Sequence, residues 1–123
     1  MKENDFWADA EVVSTYTRAE ALADGSLIDQ SEVAKEAGFK YPLAITSGLH
    51  GVIQKAIKDG SDTIDWIMWD ILTMFKIAIK KDGNDNKVWF QFSLQGKIVD
   101  LWSVIDGGDD GKPVITIMLT TED

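Results

Sequence analysis

The run SDTIDWIMWDILTMFKIAIKK at residues 61–81 constrains the chain most, because its length and its three-and-four spacing of apolar residues predict one long helix. With roughly 100° between successive residues, Ile64, Ile67, Met68, Ile71, Leu72, Phe75, Ala78 and Ile79 share one broad face, the stripe that meets a core. The opposite side should be polar. Instead Trp66, Trp69, Thr73 and Ile77 line up there, between Asp62, Asp70, Lys76 and Lys80. The predicted helix is apolar on two sides, so packing it on one sheet leaves a second face to account for.

The rest of the chain supplies that sheet. Val88, Phe90, Phe92 and Leu94 alternate with Trp89, Gln91 and Ser93, the period of a strand with one face turned inward. A tight turn at Gln95 and Gly96 leads to a strand over residues 98–105. The acidic loop of residues 106–113 leads to another over residues 114–119. Together they predict a C-terminal antiparallel meander at about residues 87–94, 97–105 and 113–119. Upstream, Val12 to Tyr16 reads as a short strand that could join the sheet. Thr17 and Glu20 form a capping box for a helix ending at Gly25, and Ser31 is placed to cap a second helix ending at Gly38. Leu27 and Ile28 make a brief extended contact, and residues 43–46 are extended. Leu49, Val52, Ile53, Ala56 and Ile57 then mark an amphipathic helix, within which Gly48 and Gly51 suggest close packing. Consecutive helices followed by consecutive strands give the α+β class: one domain over residues 1–123, short N-terminal helices, and the long helix of residues 61–81 laid on the meander. Residues 1–10 read as an arm, with Phe6 and Trp7 available to cover Trp66 and Trp69.

Charge narrows the classes of partner. The net charge is −9; residues 1–36 carry nine acids and three bases, residues 37–99 six and eight, and residues 100–123 six and one. Acidic ends disfavour a phosphate backbone as ligand, because that attraction needs a cationic patch. No nucleic-acid partner is expected, and only Lys76, Lys80, Lys81 and Lys87 around the end of the long helix argue otherwise. The first twenty residues are acidic and broken by charges, unlike a signal peptide. The most apolar window, residues 64–79, holds Asp65, Asp70 and Lys76 and is shorter than the roughly 20 apolar residues that span a bilayer. A cytoplasmic protein without a membrane segment is the expectation.

Catalytic chemistry finds few footholds. The absence of cysteine removes disulfides, thiol nucleophiles and thiolate metal sites. His50 is the only histidine; a helix sets it beside Gln54 and near Ser47 with no nucleophile elbow, which makes a poor triad. Asp82, Asn84 and Asn86 match the first three ligand positions of a calcium loop, but Lys87 stands where that loop needs Gly and Ser93 where it needs Glu. No metal and no cofactor are expected. Asp70, between Trp69 and Ile71 in an otherwise apolar segment, is the best candidate for a carboxylate tuned by desolvation, so a small enzyme with a pocket near Asp70 is the alternative to a non-catalytic protein. The features that remain suit protein binding, by a foreign partner or a second copy of the chain: Trp66, Trp69 and Ile77 on the long helix, and Asp106, Asp109 and Asp110 in the acidic loop.

The runs STYTRAEALADGSLID, SEVAKEAGFKYPLAIT, WDIL and GDDGKPVITIML resemble an uncharacterised family of small proteins found mostly on bacterial plasmids, integrative elements and phages. The resemblance extends from about Val12 to the C-terminus. It implies a bacterial or phage cytoplasmic setting and an accessory role, of which an acidic inhibitor of host defence is one specific form. It implies no activity for any residue.

Overall fold

Residues 17–59, 63–82 and 86–121 are described by the computed structural model. The strand expected over residues 12–16 and the arm bearing Phe6 and Trp7 lie outside them. The elements run α1 (Arg18–Asp24), β1 (Leu27–Asp29), α2 (Ser31–Glu36), β2 (Leu43–Thr46), α3 (Ser47–Asp59), α4 (Ile64–Asp82), β3 (Lys87–Leu94), β4 (Lys97–Gly107) and β5 (Pro113–Leu119).

The meander forms as expected, with β3 and β4 antiparallel in the register Trp89 opposite Trp102, and β4 and β5 antiparallel with Ser103 opposite Ile117. Gln95 and Gly96, both at positive φ (52° and 82°), make the two-residue turn between Leu94 and Lys97. The sheet is larger than the meander, however. Its order is β1-β2-β5-β4-β3, and β2 runs parallel to β5, with Leu43 beside Ile115 and Ile45 beside Ile117. The extended pieces at residues 27–29 and 43–46 are therefore sheet members rather than connectors. Their shortness hides this in the sequence, because three or four residues are too few to show a period, and the parallel partner lies far along the chain.

Helices α3 and α4 cover one face: α4 lies against β3, α3 against β1, β2 and β5, and α2 bridges β2 and α4. Ile67, Met68, Ile71, Leu72 and Phe75 are buried, and Ile64, Ala78 and Ile79 half-buried, so the α4 stripe meets the sheet as its spacing requires. Val88, Phe90, Phe92 and Leu94 are buried beneath it. Phe75 stands between two other rings, its centroid 5.4 Å from both Phe39 and Phe90. That column joins the loop before β2, the long helix and the sheet.

Local signals at the helix ends hold with two exceptions. Thr17 and Glu20 close the predicted capping box, and α1 stops at Gly25 with φ 87°. Helix α4 begins at Ile64, later than residue 61, because the Thr63 hydroxyl accepts the Trp66 N–H at 3.4 Å and its carbonyl accepts that of Ile67. Ser31 does not cap α2. Its hydroxyl donates to Asp29 Oδ1 at 2.6 Å and accepts the Leu43 N–H at 3.0 Å, tying β1, α2 and β2 together instead. Gly51 marks no close approach either, since a Cβ built there meets nothing within 4 Å.

Candidate functional site

The second face of α4 follows from the first. With Ile67, Met68, Ile71, Leu72 and Phe75 turned to the sheet, helical geometry turns Trp66, Thr73 and Ile77 away from it. Trp66 is 70 % exposed, Ile77 43 % and Trp69 40 %, and Met74, which the sequence pattern alone did not single out, joins them at 38 %. Thr73 donates its hydroxyl proton to the Trp69 carbonyl at 2.7 Å, so the polar member of this face is satisfied within the helix. The apolar atoms have no such partner.

Charge around this stripe is graded. Asp65 and Asp70 flank its N-terminal half and Lys76, Lys80 and Lys81 its C-terminal half. Helix α2 sharpens the acidic end: Glu32, Glu36, Asp65 and Trp69 line one recess, together with Val33 and Lys35. The contribution of Glu32 and Glu36 has no sequence signal, because it depends on the packing of α2 against α4. Lys76 is held with its Nζ 5.6 Å from the centre of the Phe39 ring, and Lys87 similarly lies 5.8 Å from Trp102. Two of the four lysines that could have made a cationic patch thus lie over rings.

The other predicted residues separate. Asp70 is exposed on α4 and lines neither the recess at Trp69 nor the groove between α1 and the β4–β5 loop. His50 pairs with Gln54 at 3.2 Å, one turn along α3, as their spacing predicts. Among the described residues no group of three or more His, Asp or Glu side chains is gathered to hold a metal ion, and no helix is long and apolar enough to cross a membrane.

The acidic loop is a tied structure rather than a loose one. Strand β4 continues through Asp106 to Gly107, which pairs with Pro113, leaving a short closure. The Gly108 N–H donates to the Lys112 carbonyl at 2.8 Å and the Gly111 N–H to the Gly108 carbonyl at 2.9 Å. Asp110 Oδ1 accepts the Lys112 N–H at 3.0 Å. Asp109 reaches out of the loop to α1, accepting the Arg18 N–H at 2.8 Å and the Ala19 N–H at 2.9 Å. Those two bonds hold its carboxyl below the usual carboxylate range. Asp106, Asp109 and Asp110 are all exposed, but only Asp106 has no such bond from its side chain.

Arg18 completes this junction. Its guanidinium donates to Thr116 Oγ1 at 2.7 Å and to the Ile115 carbonyl at 2.9 Å. Burial lowers its pKa, and Asp106, Asp109 and Asp29 oppose that change. Thr116 alternates along β5 with the core residues Ile115 and Ile117, so Arg18 binds the face of the sheet opposite α4. On that same face Trp89 and Trp102 stack across the β3–β4 ladder, with centroids 5.7 Å apart.

The chain belongs to a family of unknown function (DUF6573), whose match covers residues 3–123. No curated protein and no solved structure matches it.

Proposed function

We propose that the chain is a non-catalytic accessory protein that binds another protein through the outer face of α4. The observation that carries this reading is Trp66, 70 % exposed on a helix whose opposite side forms the core. An indole left in water forgoes the roughly 2–3 kcal/mol that burying a large apolar side chain returns, and tryptophan is the residue most enriched at the centres of interfaces. Trp66, Trp69, Thr73 and Ile77 have the spacing with which a helix enters an apolar groove.

Charge specifies the rim of that groove. Glu32, Glu36 and Asp65 border Trp69, with Lys35 the one cation in the same recess, and Asp70 follows on α4, an acidic excess that favours a partner whose apolar cleft is bordered by Lys or Arg. The resemblance to proteins of plasmids, integrative elements and phages gives this partner a setting. It is a basic host protein, and inhibition of host defence is the narrowest form of the reading.

Photocrosslinking from position 66 in living bacteria tests the proposal. The expected result is an adduct to one foreign protein that disappears in the Ile77→Ser variant and weakens in a Glu32→Lys, Glu36→Lys variant. An adduct only to a second copy of the chain would make α4 a homodimer face instead, and an adduct indifferent to Ile77 would remove the reading.

A further inference from the structure

A second groove has no α4 residue in its lining. It lies between α1, the segment leading into β2 and the β4–β5 loop, and has a volume of about 540 Å³, within the range of roughly 300–1,000 Å³ usual for small-ligand sites. Its surface is mainly apolar. Leu22 (37 % exposed) comes from α1, Tyr41 (44 %) and Pro42 from the segment before β2, and Pro113 and Val114 from the start of β5.

The walls of this groove are fixed by bonds within the fold. Asp109 clamps the loop to α1, and the Ile115 N–H donates to the Pro42 carbonyl at 2.9 Å, joining the second wall to the third. The Gly108–Lys112 bond closes the loop itself. A ligand entering here orders little protein, which removes one of the main costs of binding.

The polar groups at the mouth decide the charge of the occupant. Two carboxylates line the groove, Asp109 bonded to the α1 backbone and Asp110 to the Lys112 N–H, against three cations, Arg18, Lys40 and Lys112, of which Arg18 turns its guanidinium to Thr116 and Ile115. Lys40 and Lys112 remain, both exposed, and their ammonium groups have no hydrogen bond or ion pair among the described residues. In a chain of net charge −9, this apolar surface therefore has two unengaged cations at its edge. We infer that the groove binds an amphipathic organic anion, a carboxylate or sulfonate whose apolar body lies on Leu22 and Tyr41 while Lys40 and Lys112 take the charge.

Two dyes with the same apolar body separate the parts of this inference: anilinonaphthalene sulfonate, which is anionic, and N-phenylnaphthylamine, which is neutral. Fluorescence titration of the full chain should show saturable one-to-one binding of the anionic dye. Leu22→Asp should weaken it about tenfold or more, since an unpaired carboxylate would replace an apolar contact. Because Leu22 is partly exposed, an unchanged melting temperature in this variant confirms that the fold is intact. Lys40→Glu with Lys112→Glu should weaken the anionic dye several-fold and leave the neutral dye unaffected. Non-saturable binding, or binding that falls with Trp66→Ser rather than Leu22→Asp, would overturn the proposal. Equal binding of both dyes, insensitive to the lysines, would overturn its anionic part.

Discussion

Asp109 accepts the backbone N–H of Arg18, 91 residues away in sequence, at 2.8 Å, and so holds the start of a helix with a side chain from a distant hairpin loop. The capping box of Thr17 is local, whereas Asp109 adds a tertiary tie between α1 and the sheet. Asp109→Ala should therefore lower the melting temperature at neutral pH. The sign of the pH dependence follows from the lowered pKa. A carboxyl more acidic when folded stabilises above its unfolded value, near 3.8, and loses that contribution as pH falls through the folded value. The gap between wild type and Asp109→Ala, measured by thermal melts, should be present at about pH 7 and shrink as pH falls below the unfolded value. A gap that stayed constant would mean that the carboxylate charge contributes nothing.

Gly51 sits in the interior of α3 with open space where its Cβ would be. Alanine there restricts the unfolded chain and meets no obstacle, so Gly51→Ala should stabilise by about 1 kcal/mol. Chemical denaturation should show a higher midpoint at unchanged slope. A lower midpoint would reveal a packing role that the geometry does not indicate.

Much of this architecture was legible because periodicity reports burial wherever an element is long. The eight residues of β3 alternate buried and exposed without exception, and the inward face of α4 follows from its spacing. What escaped the sequence was non-local. Leu43 and Ile45 give no hint that their neighbour is β5, and nothing near Asp109 announces a helix that begins at Arg18. Ser31 misled for a related reason: a serine at a helix start suggests a cap, but Asp29 and Leu43 competed for its hydroxyl. The exposed face of α4 was legible as a pattern, while its acidic rim from Glu32 and Glu36 required the packing of two helices.

Phe75 is fully buried between Phe39 and Phe90, whereas Trp66 projects from the same helix into solvent. Phe75→Ala should cost about 3–5 kcal/mol, the range for deleting a buried aromatic ring. Trp66→Ser should change stability by about 0.5 kcal/mol or less, as exposed substitutions do. Urea denaturation of the two variants measures both. A large loss at Trp66 would mean that its indole serves the fold, and would count against a role in partner binding.

Arg18 is the most demanding of these side chains, because its half-buried guanidinium donates both to a side chain and to a backbone carbonyl of β5. Methionine would keep much of the volume but remove both donors, leaving the Ile115 carbonyl without this bond and Asp29, Asp106 and Asp109 without their nearby cation. Hydrogen bonds from a charged donor contribute roughly 1.5–3 kcal/mol, so Arg18→Met should cost about 2 kcal/mol. Lysine keeps the charge but not the planar fork, and cannot reproduce the paired geometry. Arg18→Lys should therefore fall between wild type and Arg18→Met in chemical denaturation. If it matched wild type, the charge near the three aspartates would be sufficient. If it matched Arg18→Met, the two directed hydrogen bonds would account for the whole effect.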